Sequence, residues 1–348
     1  MKIIGCMSGT SLDGLDLAYI RFYSQNNEYK FEIIEAKTYE YTSDWKKRLN
    51  NSTNLTALEL SLLDNDFGEL IGLFINEFIA EYHLDDIDYI ASHGHTVFHQ
   101  PNKKLSLQIG KAASIVSLIN LPVINDFRTL DMALGGQGAP LVPIGDRLLF
   151  SDYDFCLNLG GFSNVSFEQN TQRIAFDIAP ANLALNFFAQ KLGFEFDRNG
   201  ALGKEGSIND LLLSKLNQLN FYKQPYPKSL GKEWLEESFL PCIPKKIEFV
   251  DVLRTLYEHI AIQIAAIINK SDSKTLVTGG GAFNTFLIDL IKKHSSSEII
   301  IPNQKLVNFK ESLIFAFLGY LRVNRKINVL NSVTGASRNS CSGNIVYP

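Results

Sequence analysis

A run of glycine, hydroxyl and acidic residues, GTSLDG (9–14), separates two apolar segments close to the start of the chain. The run lacks the lysine of a Walker A loop, and the alternating pattern after it predicts a β-hairpin tip. Successive backbone N–H groups and hydroxyls at such a tip can bind phosphate, and an aspartate there can hold the accompanying magnesium ion. A polar turn without a ligand is the alternative.

Two further glycine clusters support the phosphate interpretation. NLGGFSNV (158–165) places a Gly-Gly tip between two predicted strands, so that a pair of hairpins could clamp a polyphosphate. TGGGAFN (278–284) lies between a predicted strand and a predicted helix, where backbone can approach a flat adenine or a ribose. Each cluster alone is a weak signal, and their equivalent placement makes the combination a strong one.

The elements that carry these clusters occur in the same order twice. Strands are predicted at 2–7, 15–22 and 31–39, followed by a long helical segment, a short strand DYIAS, a helix near 110–119 and a strand LPVIND. From Phe155 onward the order βββαβα returns, with loops and short helices inserted at about 195–245. The pattern predicts an α/β protein with an internal duplication of architecture.

The composition excludes several classes of partner. The 348 residues have a formal net charge of -4, with 45% hydrophobic and 20% charged residues, and lack the basic patch that nucleic acid or an anionic membrane requires. No apolar run reaches the roughly 18 residues of a membrane span, and the first residues do not resemble a secretory signal. The four cysteines lack the spacing of a zinc site. We expect a cytoplasmic protein that binds small molecules.

The duplicated unit with its glycine segments resembles the superfamily of sugar kinases, acetate kinase, actin and heat-shock ATPases, which implies two RNase H-like lobes. More narrowly, the chain resembles the anhydro-N-acetylmuramic acid kinases. The motifs that carry this resemblance are, in order, MSGTSLDGLD, SHGHTVFHQP, LQIG, DFRTLDMALGGQGAPLVP, NLGGFSNVS, FDIAPAN, PKSLGKEW, GGGAFN and VTGA. The expected lobes are 1–127, with the tail 335–348 as a candidate addition, and 128–334.

The resemblance implies an ATP- and Mg²⁺-dependent kinase. Such an enzyme phosphorylates 1,6-anhydro-N-acetylmuramic acid at O6 while water opens the anhydro ring, which gives N-acetylmuramic acid 6-phosphate in cell-wall recycling. Its partners are ATP and an amino sugar, and the assembly state stays open, with a homodimer as one form.

The resemblance also implies residue roles. Asp177 matches the catalytic carboxylate, Asp13 is the expected Mg²⁺ ligand, and Arg128 suits the lactyl carboxylate of a muramic sugar, with a structural ion pair as its alternative. The implied nucleotide-binding positions are Gly9, Thr10, Ser11, Leu12, Asp13, Gly14, Asp16, Gly160, Gly161, Gly279, Gly280, Gly281 and Asn284. The implied substrate-binding positions are His93, His95, Asp126, Arg128, Gln137 and Asn182.

Some positions depart from the commoner family pattern. Ala179 and Ala181 replace two glycines, Asn186 replaces a downstream acid, and His95 replaces a glutamine. Two alternative functions stay open. His93, His95 and His99 could form the metal cluster of a hydrolase, and an actin-like sugar sensor would keep the phosphate hairpins without catalysis.

Overall fold

The computed structural model describes residues 1–9, 11–26 and 28–348, which form two compact units. Unit 1 consists of Met1–Leu149 with Phe309–Pro348, and unit 2 of Phe150–Asn308. The division therefore falls at 149/150, later than the expected boundary at 127/128, and the chain returns to unit 1 at 309. The helix that precedes the division packs on unit 1, and so does the helix that follows the return.

The sheet of unit 1 places its first strand at the centre. Strand β1 pairs antiparallel with β2, which pairs antiparallel with β3, whereas β4 lies parallel to β1, and β6 lies parallel to β4. The order is β12-β6-β4-β1-β2-β3, with β5 paired to β4. The strands are β1 (Lys2–Ser8), β2 (Gly14–Gln25), β3 (Glu28–Glu40), β4 (Tyr89–Gln100), β5 (Leu105–Ile109), β6 (Val123–Asn125) and β12 (Asn344–Val346).

The sheet of unit 2 repeats this arrangement in the order β11-β10-β7-β8-β9. The first three strands are antiparallel, and β10 and β11 continue parallel to β7. The strands are β7 (Phe155–Leu159), β8 (Phe162–Gln169), β9 (Gln172–Pro180), β10 (Lys274–Thr278) and β11 (Glu298–Ile300). The common order and directions confirm the predicted duplicated α/β fold.

The helices cover the faces and edges of the two sheets. Those of unit 1 are α1 (Ser43–Asn50), α2 (Ala57–Tyr82), α3 (Ala112–Ile119), α4 (Thr129–Ala133), α5 (Pro143–Leu149) and α14 (Asn331–Thr334). Those of unit 2 are α6 (Asn182–Lys191), α7 (Ala201–Glu205), α8 (Asp210–Asn217), α9 (Asn220–Lys223), α10 (Lys232–Trp234), α11 (Phe249–Ile268) and α12 (Thr285–His294), and α13 (Gln304–Val323) spans the return to unit 1. The short helices α7–α10 lie within the predicted insertion at about 195–245. No helix of the described residues is long and apolar enough to cross a membrane.

Each unit has its own hydrophobic core. In unit 1, alternate residues of β1 such as Ile4 and Cys6 pack with α2, while Gly5 faces α13 on the other side of the sheet. In unit 2, α11 buries a continuous apolar stripe against β7, β8 and β9. A capping box of Thr56 and Glu59 fixes the start of α2, as expected where a threonine precedes a glutamate by three residues.

Strand β4 is longer than the predicted segment DYIAS, because the chain keeps pairing beyond Ser92. His95 pairs with Ser8 of β1 after a register shift, and residues 95–100 form a hairpin with β5. Gly94 makes the shift possible: its φ is +73°, and a β-carbon there would lie 2.4 Å from the carbonyl oxygen of Ile109. The glycine that indicates a loop in the sequence is therefore an irregularity inside a strand.

An added methyl group should destabilise the protein at Gly5 but have little effect at Gly9, four residues later. A β-carbon at Gly5 would lie 2.0 Å from the carbonyl oxygen of Ser312 in α13, whereas one at Gly9 would find Ser11 Oγ as its nearest neighbour, at 3.5 Å. Gly5→Ala should therefore destabilise the protein by about 1–3 kcal/mol, while Gly9→Ala should change stability by less than about 0.5 kcal/mol. Urea unfolding followed by circular dichroism measures both. Equal midpoints for the two variants would contradict this packing.

Candidate functional site

The first glycine loop is the tip of the β1–β2 hairpin. Leu12 N–H donates to the carbonyl oxygen of Gly9 across 3.4 Å, and Tyr41 N–H donates to that of Asp13 across 3.3 Å. Leu12 has a φ of 60°, and Ser11 is exposed. Thr10 lies outside the described residues. The loop thus has the strand-to-strand placement that the sequence predicts.

The two glycines of this loop differ in what the protein itself requires of them. At Gly14, a β-carbon would lie 2.4 Å from the carbonyl oxygen of Tyr39 in the neighbouring strand, so the sheet alone demands glycine. At Gly9 an added β-carbon would make only ordinary van der Waals contacts, with Ser11 Oγ nearest at 3.5 Å. The fold leaves Gly9 available for close backbone approach by a ligand.

A group of carboxylates lies beside this loop in unit 1. Asp16 Oδ1 accepts a hydrogen bond of 2.5 Å from Thr38 Oγ1. Burial raises the pKa of Asp16 to about 6, against the lowering by Thr38, and the negative charges of Glu311 and Asp13 raise it further. A cation bound here would relieve this repulsion.

Arg128 is anchored at three nitrogens. Its Nε and Nη2 donate to His93 Nε2 across 3.2 and 2.8 Å, and its Nη1 donates to the carbonyl oxygen of Gly138 across 2.7 Å. Desolvation lowers the pKa of Arg128 to about 10, partly offset by the negative charge of Glu311, so the guanidinium stays charged at neutral pH. Within the described chain, one N–H on Nη1 and one on Nη2 have no protein partner, and these two could bind a carboxylate.

Asp131 organises the GGQG loop that carries Gly138. It is fully buried, and its two oxygens accept hydrogen bonds from Gly138 N–H at 2.8 Å and Thr334 Oγ1 at 2.7 Å. Gln137 is exposed on this loop, with its backbone N–H on the carbonyl oxygen of Thr334. Asp131 therefore ties the block 126–143 to the VTGA segment.

Asp126 has structural contacts at both carboxylate oxygens. Oδ1 accepts from Thr129 N–H at 3.2 Å, at the start of α4, and Oδ2 accepts from Asn344 Nδ2 at 3.1 Å in β12. Its φ of 54° belongs to the turn that ends β6. Its substrate-binding role stays a prediction, and these contacts favour a role in holding the turn before Arg128.

The three histidines of the proposed metal cluster do not converge. His93 stacks on Phe315 of α13, whereas His95 contacts Phe67 of α2 on the opposite face of the sheet and hydrogen-bonds Ser8 Oγ through Nδ1 at 3.1 Å. His99 is exposed and lies 3.2 Å from Ser106 Oγ. Desolvation lowers the pKa of all three rings, that of His95 to about 4. No metal-binding group of three such side chains occurs among the residues described, and this geometry contradicts the hydrolase alternative.

Unit 2 places its two glycine clusters close together, with the side chain of Asn182 beside both. Asn182 N–H donates to the carbonyl oxygen of Gly160 at 3.2 Å, and its Nδ2 donates to that of Leu159 at 3.1 Å. A β-carbon at Gly281 would lie 2.7 Å from Leu159 Cβ, so backbone packing requires glycine there. Gly280, by contrast, is exposed, with only Asn182 Nδ2 at 3.9 Å from an added β-carbon.

The remaining predicted nucleotide-binding positions of unit 2 make contacts within the unit itself. Gly161 accepts a hydrogen bond from Ala181 N–H, and a β-carbon at Gly279 would lie 2.5 Å from Asn158 Oδ1. Asn284 caps α12 through Oδ1, which accepts from Leu287 N–H, and its Nδ2 donates to Tyr257 OH at 2.8 Å. Asn284 thus has both side-chain ends engaged inside unit 2, which favours a structural role over nucleotide contact.

Of the family departures near α6, the two alanines are core positions and Asn186 is not. Ala179 and Ala181 are fully buried, and Ala179 N–H donates to Ser163 Oγ. Their methyl groups face protein, so the two alanines leave the backbone ties to the second hairpin intact. Asn186 lies on α6 and is partly buried.

Asp177 is a half-buried carboxylate near the end of β9. Its Oδ2 accepts a hydrogen bond of 2.8 Å from Leu230 N–H, and its own N–H donates to the carbonyl oxygen of Lys228. In the described part of the chain, Oδ1 has no hydrogen-bond partner. Desolvation raises the pKa of Asp177, partly offset by the bond from Leu230. One oxygen is therefore positioned, and the other is open to take a proton.

Sequence motifs do not single out two charged residues of unit 1. Asp131 stands only three residues after Arg128 and gives no separate signal, and Glu311 lies at the start of an apolar helical run. Glu311 reaches solvent, yet desolvation raises its pKa while Arg128 and Lys310 lower it. The PKSLGKEW motif contains Leu230, whose N–H donates to Asp177, so the sequence marks the segment but not the contact.

A cavity of about 640 Å³ lies elsewhere in unit 2, between the turn 151–154, the ends of β8 and α11, and Tyr226. Of the predicted site residues that the structure describes, none lines it. Phe176, the neighbour of Asp177, stacks on Tyr226 at its wall, with ring centroids 5.1 Å apart.

Comparison with known proteins identifies the family. Component A of the (R)-2-hydroxyglutaryl-CoA dehydratase of Acidaminococcus fermentans is a structural match with a TM-score of 0.48 at 12% identity, covering 91% of this chain and 96% of that one. The anhydro-N-acetylmuramic acid kinase of Vibrio cholerae serotype O1 is 34% identical over 99% of this chain and 98% of its own length, and that of Bacillus thuringiensis subsp. konkukian is 32% identical over 100% of both. The family model for anhydro-N-acetylmuramic acid kinase matches residues 1–348. This full-length match and these relatives show that the chain belongs to the anhydro-N-acetylmuramic acid kinase family and is an enzyme of that kind.

Proposed function

We propose that the protein transfers the γ-phosphoryl group of ATP to O6 of 1,6-anhydro-N-acetylmuramic acid while water opens the anhydro ring. The product is N-acetylmuramic acid 6-phosphate, and the reaction serves cell-wall recycling in the cytoplasm. Asp177 is the observation that carries the proposal, because one oxygen of its carboxylate is fixed by Leu230 while the other has no protein partner among the described residues.

The acceptor oxygen explains why a base is needed for water. O6 is an ether oxygen of the anhydro bridge and has no proton to lose. Water attacks C1 and gives its proton to Asp177, the C1–O6 bond breaks, and the electron pair on O6 forms the new bond to the γ-phosphorus, with ADP as the leaving group. The raised pKa of Asp177 makes it a stronger base than an exposed aspartate.

The hairpin tip at Gly9 and the exposed Gly280 are the proposed nucleotide contacts. An added β-carbon would lie 3.5 Å from its nearest neighbour at Gly9 and 3.9 Å at Gly280, so packing does not require glycine at either position. Backbone N–H groups at such positions can donate to phosphate oxygens or lie against a nucleoside.

Mg²⁺ fits the carboxylates beside the first loop. Burial is the main cause of the raised pKa of Asp16, and the negative charges of Glu311 and Asp13 add to it. Magnesium in nucleotide sites is typically held by one or two carboxylates together with phosphates and water, so Asp13 and Asp16 are the residues that would hold it. When bound, the ion would neutralise charge on the transferring phosphates.

The lactyl carboxylate is the group of the sugar that Arg128 would bind. The protein anchors all three guanidinium nitrogens, and two of the five N–H groups remain for a ligand. A planar fork with two free donors matches a carboxylate better than a hydroxyl.

The Gly9 loop is tested with Gly9→Val. The side chain would occupy the space where the backbone must approach phosphate, so ATP affinity should fall on the order of tenfold or more, while urea stability stays close to that of the wild type. Isothermal titration with ATP measures the affinity. A folded Gly9→Val protein with unchanged affinity would remove the loop from the nucleotide site.

The role of Asp177 is tested with Asp177→Asn. The amide oxygen can still accept from Leu230 N–H, but the side chain cannot take a proton, so turnover should fall roughly 10²–10⁴-fold with ATP and sugar binding retained. Asp210→Asn, at an exposed position of unit 2, is the control and should keep full turnover.

Isotope labelling examines the same step in the wild-type enzyme. In ¹⁸O water the label should appear at C1 of the product, because water attacks carbon. Label in the phosphoryl group would instead mean that water attacks ATP, and it would contradict the proposed ring opening.

The role of Arg128 is tested by selectivity. Arg128→Ala should lower kcat/KM for the anhydro-muramic sugar, by an amount that corresponds to a loss of about 2–4 kcal/mol of transition-state stabilisation. The effect on anhydro-N-acetylglucosamine, which lacks the lactyl group, should be much smaller. Arg21→Ala, at an exposed arginine of β2, is the matched control. An unchanged ratio between the two sugars would assign Arg128 a structural role.

A further inference from the structure

We infer that His93 is a positioning residue for Arg128, which it aims at the carboxylate of the sugar, and that it does not contact the substrate itself. This inference rests on the proposed role of Arg128. It differs from the expectation that His93 binds substrate directly, because His93 would affect the selectivity between sugars only through Arg128.

The hydrogen bonds of the His93 ring permit one tautomer. Nδ1 lies 2.9 Å from the carbonyl oxygen of Gly94, which can only accept, so Nδ1 must carry the proton. Nε2 receives hydrogen bonds from Arg128, which can only donate, so Nε2 must present its lone pair. The neutral ring is thus used at both nitrogens and has none left for a ligand.

The surroundings keep the ring in this state. His93 is buried and packs on Phe315, with ring centroids 4.5 Å apart. Desolvation and the charge of Arg128 hold its pKa well below 6.5. The acceptor for the guanidinium therefore stays available across the physiological pH range.

The arrangement leaves Arg128 little conformational freedom. His93 holds the Nε–Nη2 edge, and the carbonyl oxygen of Gly138, on the loop fixed by Asp131, holds Nη1. An arginine side chain normally loses much of its rotamer entropy when it is immobilised. With two anchors, that loss is incurred on folding, and the remaining N–H groups are preorganised for a carboxylate.

A purely structural role for a buried histidine is the competing explanation. Such a role would weaken catalysis with every substrate equally. A positioning role acts through the guanidinium and therefore affects only substrates that carry the carboxylate. Selectivity between two sugars separates the two explanations.

The experiment compares His93→Phe and His93→Gln on anhydro-N-acetylmuramic acid and anhydro-N-acetylglucosamine. Phenylalanine keeps the ring against Phe315 but removes the acceptor, so the ratio of kcat/KM values should fall about tenfold or more, mainly through KM of the muramic sugar. Glutamine offers an amide oxygen to Arg128 and should restore most of the ratio. In the Arg128→Ala background, His93→Phe should cause no further loss of selectivity.

The outcomes distinguish the inference from the function on which it rests. An unchanged ratio in Arg128→Ala would overturn the role of Arg128 itself. A lowered ratio in Arg128→Ala with equal losses on both sugars in His93→Phe would overturn only the positioning role. Nitrogen-15 NMR of the wild-type protein provides a readout independent of folding of the variants: the ring should carry its proton on Nδ1, and a proton on Nε2 would contradict the inference.

Discussion

The constraint on which both units depend is the parallel pairing of the first strand with the fourth. Because β4 runs parallel to β1, and β10 parallel to β7, the carboxyl ends of these strands lie at the same sheet edge as the tip of the hairpin that follows the first strand. In unit 2, Asn182 hydrogen-bonds Leu159 and Gly160 at this edge, and its side chain lies within 4 Å of the β-carbon positions of Gly280 and Gly281. In unit 1, it places Ser8 and the Gly9 loop next to His95. The topology of each sheet therefore brings its candidate functional segments to the same edge.

Buried polar groups at the edge of unit 1 form chains in which each member has a partner. Thr334 donates to Asp131, Asp131 accepts from Gly138 N–H, and the carbonyl oxygen of Gly138 accepts from Arg128. A buried donor or acceptor left without a partner costs about 1–3 kcal/mol, so such a chain holds only as a whole. Residues 126–138 and 334 are therefore linked physically although they are distant in sequence, and a glycine-rich loop gains a defined shape from one aspartate.

The sequence predicts the architecture better than it predicts the roles of side chains. Alternation and glycine turns place β1–β3 close to their observed bounds and predict the order of β7–β9, because strand periodicity is a local property. The extension of β4 escapes such analysis, since Gly94 resembles a loop residue until β5 is present to pair with it. The same limit applies to partners that are distant in sequence. Asn284 hydrogen-bonds Tyr257, and Asp126 hydrogen-bonds Asn344. Neither partner can be predicted from the motif that contains the first residue.

The alternatives that the sequence leaves open are separated by contacts of this kind. A spacing of HxHxxxH suggests a metal site only if the rings share a face, and the irregularity at Gly94 sends His93 and His95 to opposite faces. A catalytically silent sugar sensor is inconsistent with membership in a kinase family.

Asp16 and Asp177 show how two aspartates with raised pKa values can serve different purposes. The pKa of Asp177 is raised by desolvation and lowered only by the hydrogen bond from Leu230, which suits proton transfer. Asp16, at about 6, is raised by burial and also by the charges of Glu311 and Asp13, and suits a cation. Because its folded pKa exceeds the unfolded value of 3.8, the folded state binds this proton more tightly, so ionised Asp16 opposes folding above about pH 6 and ceases to do so as the pH falls towards 3.8. Binding of a cation would remove that opposition at neutral pH. The same negative charge that lowers the stability of the free protein would then favour a magnesium-bearing nucleotide over a bare one.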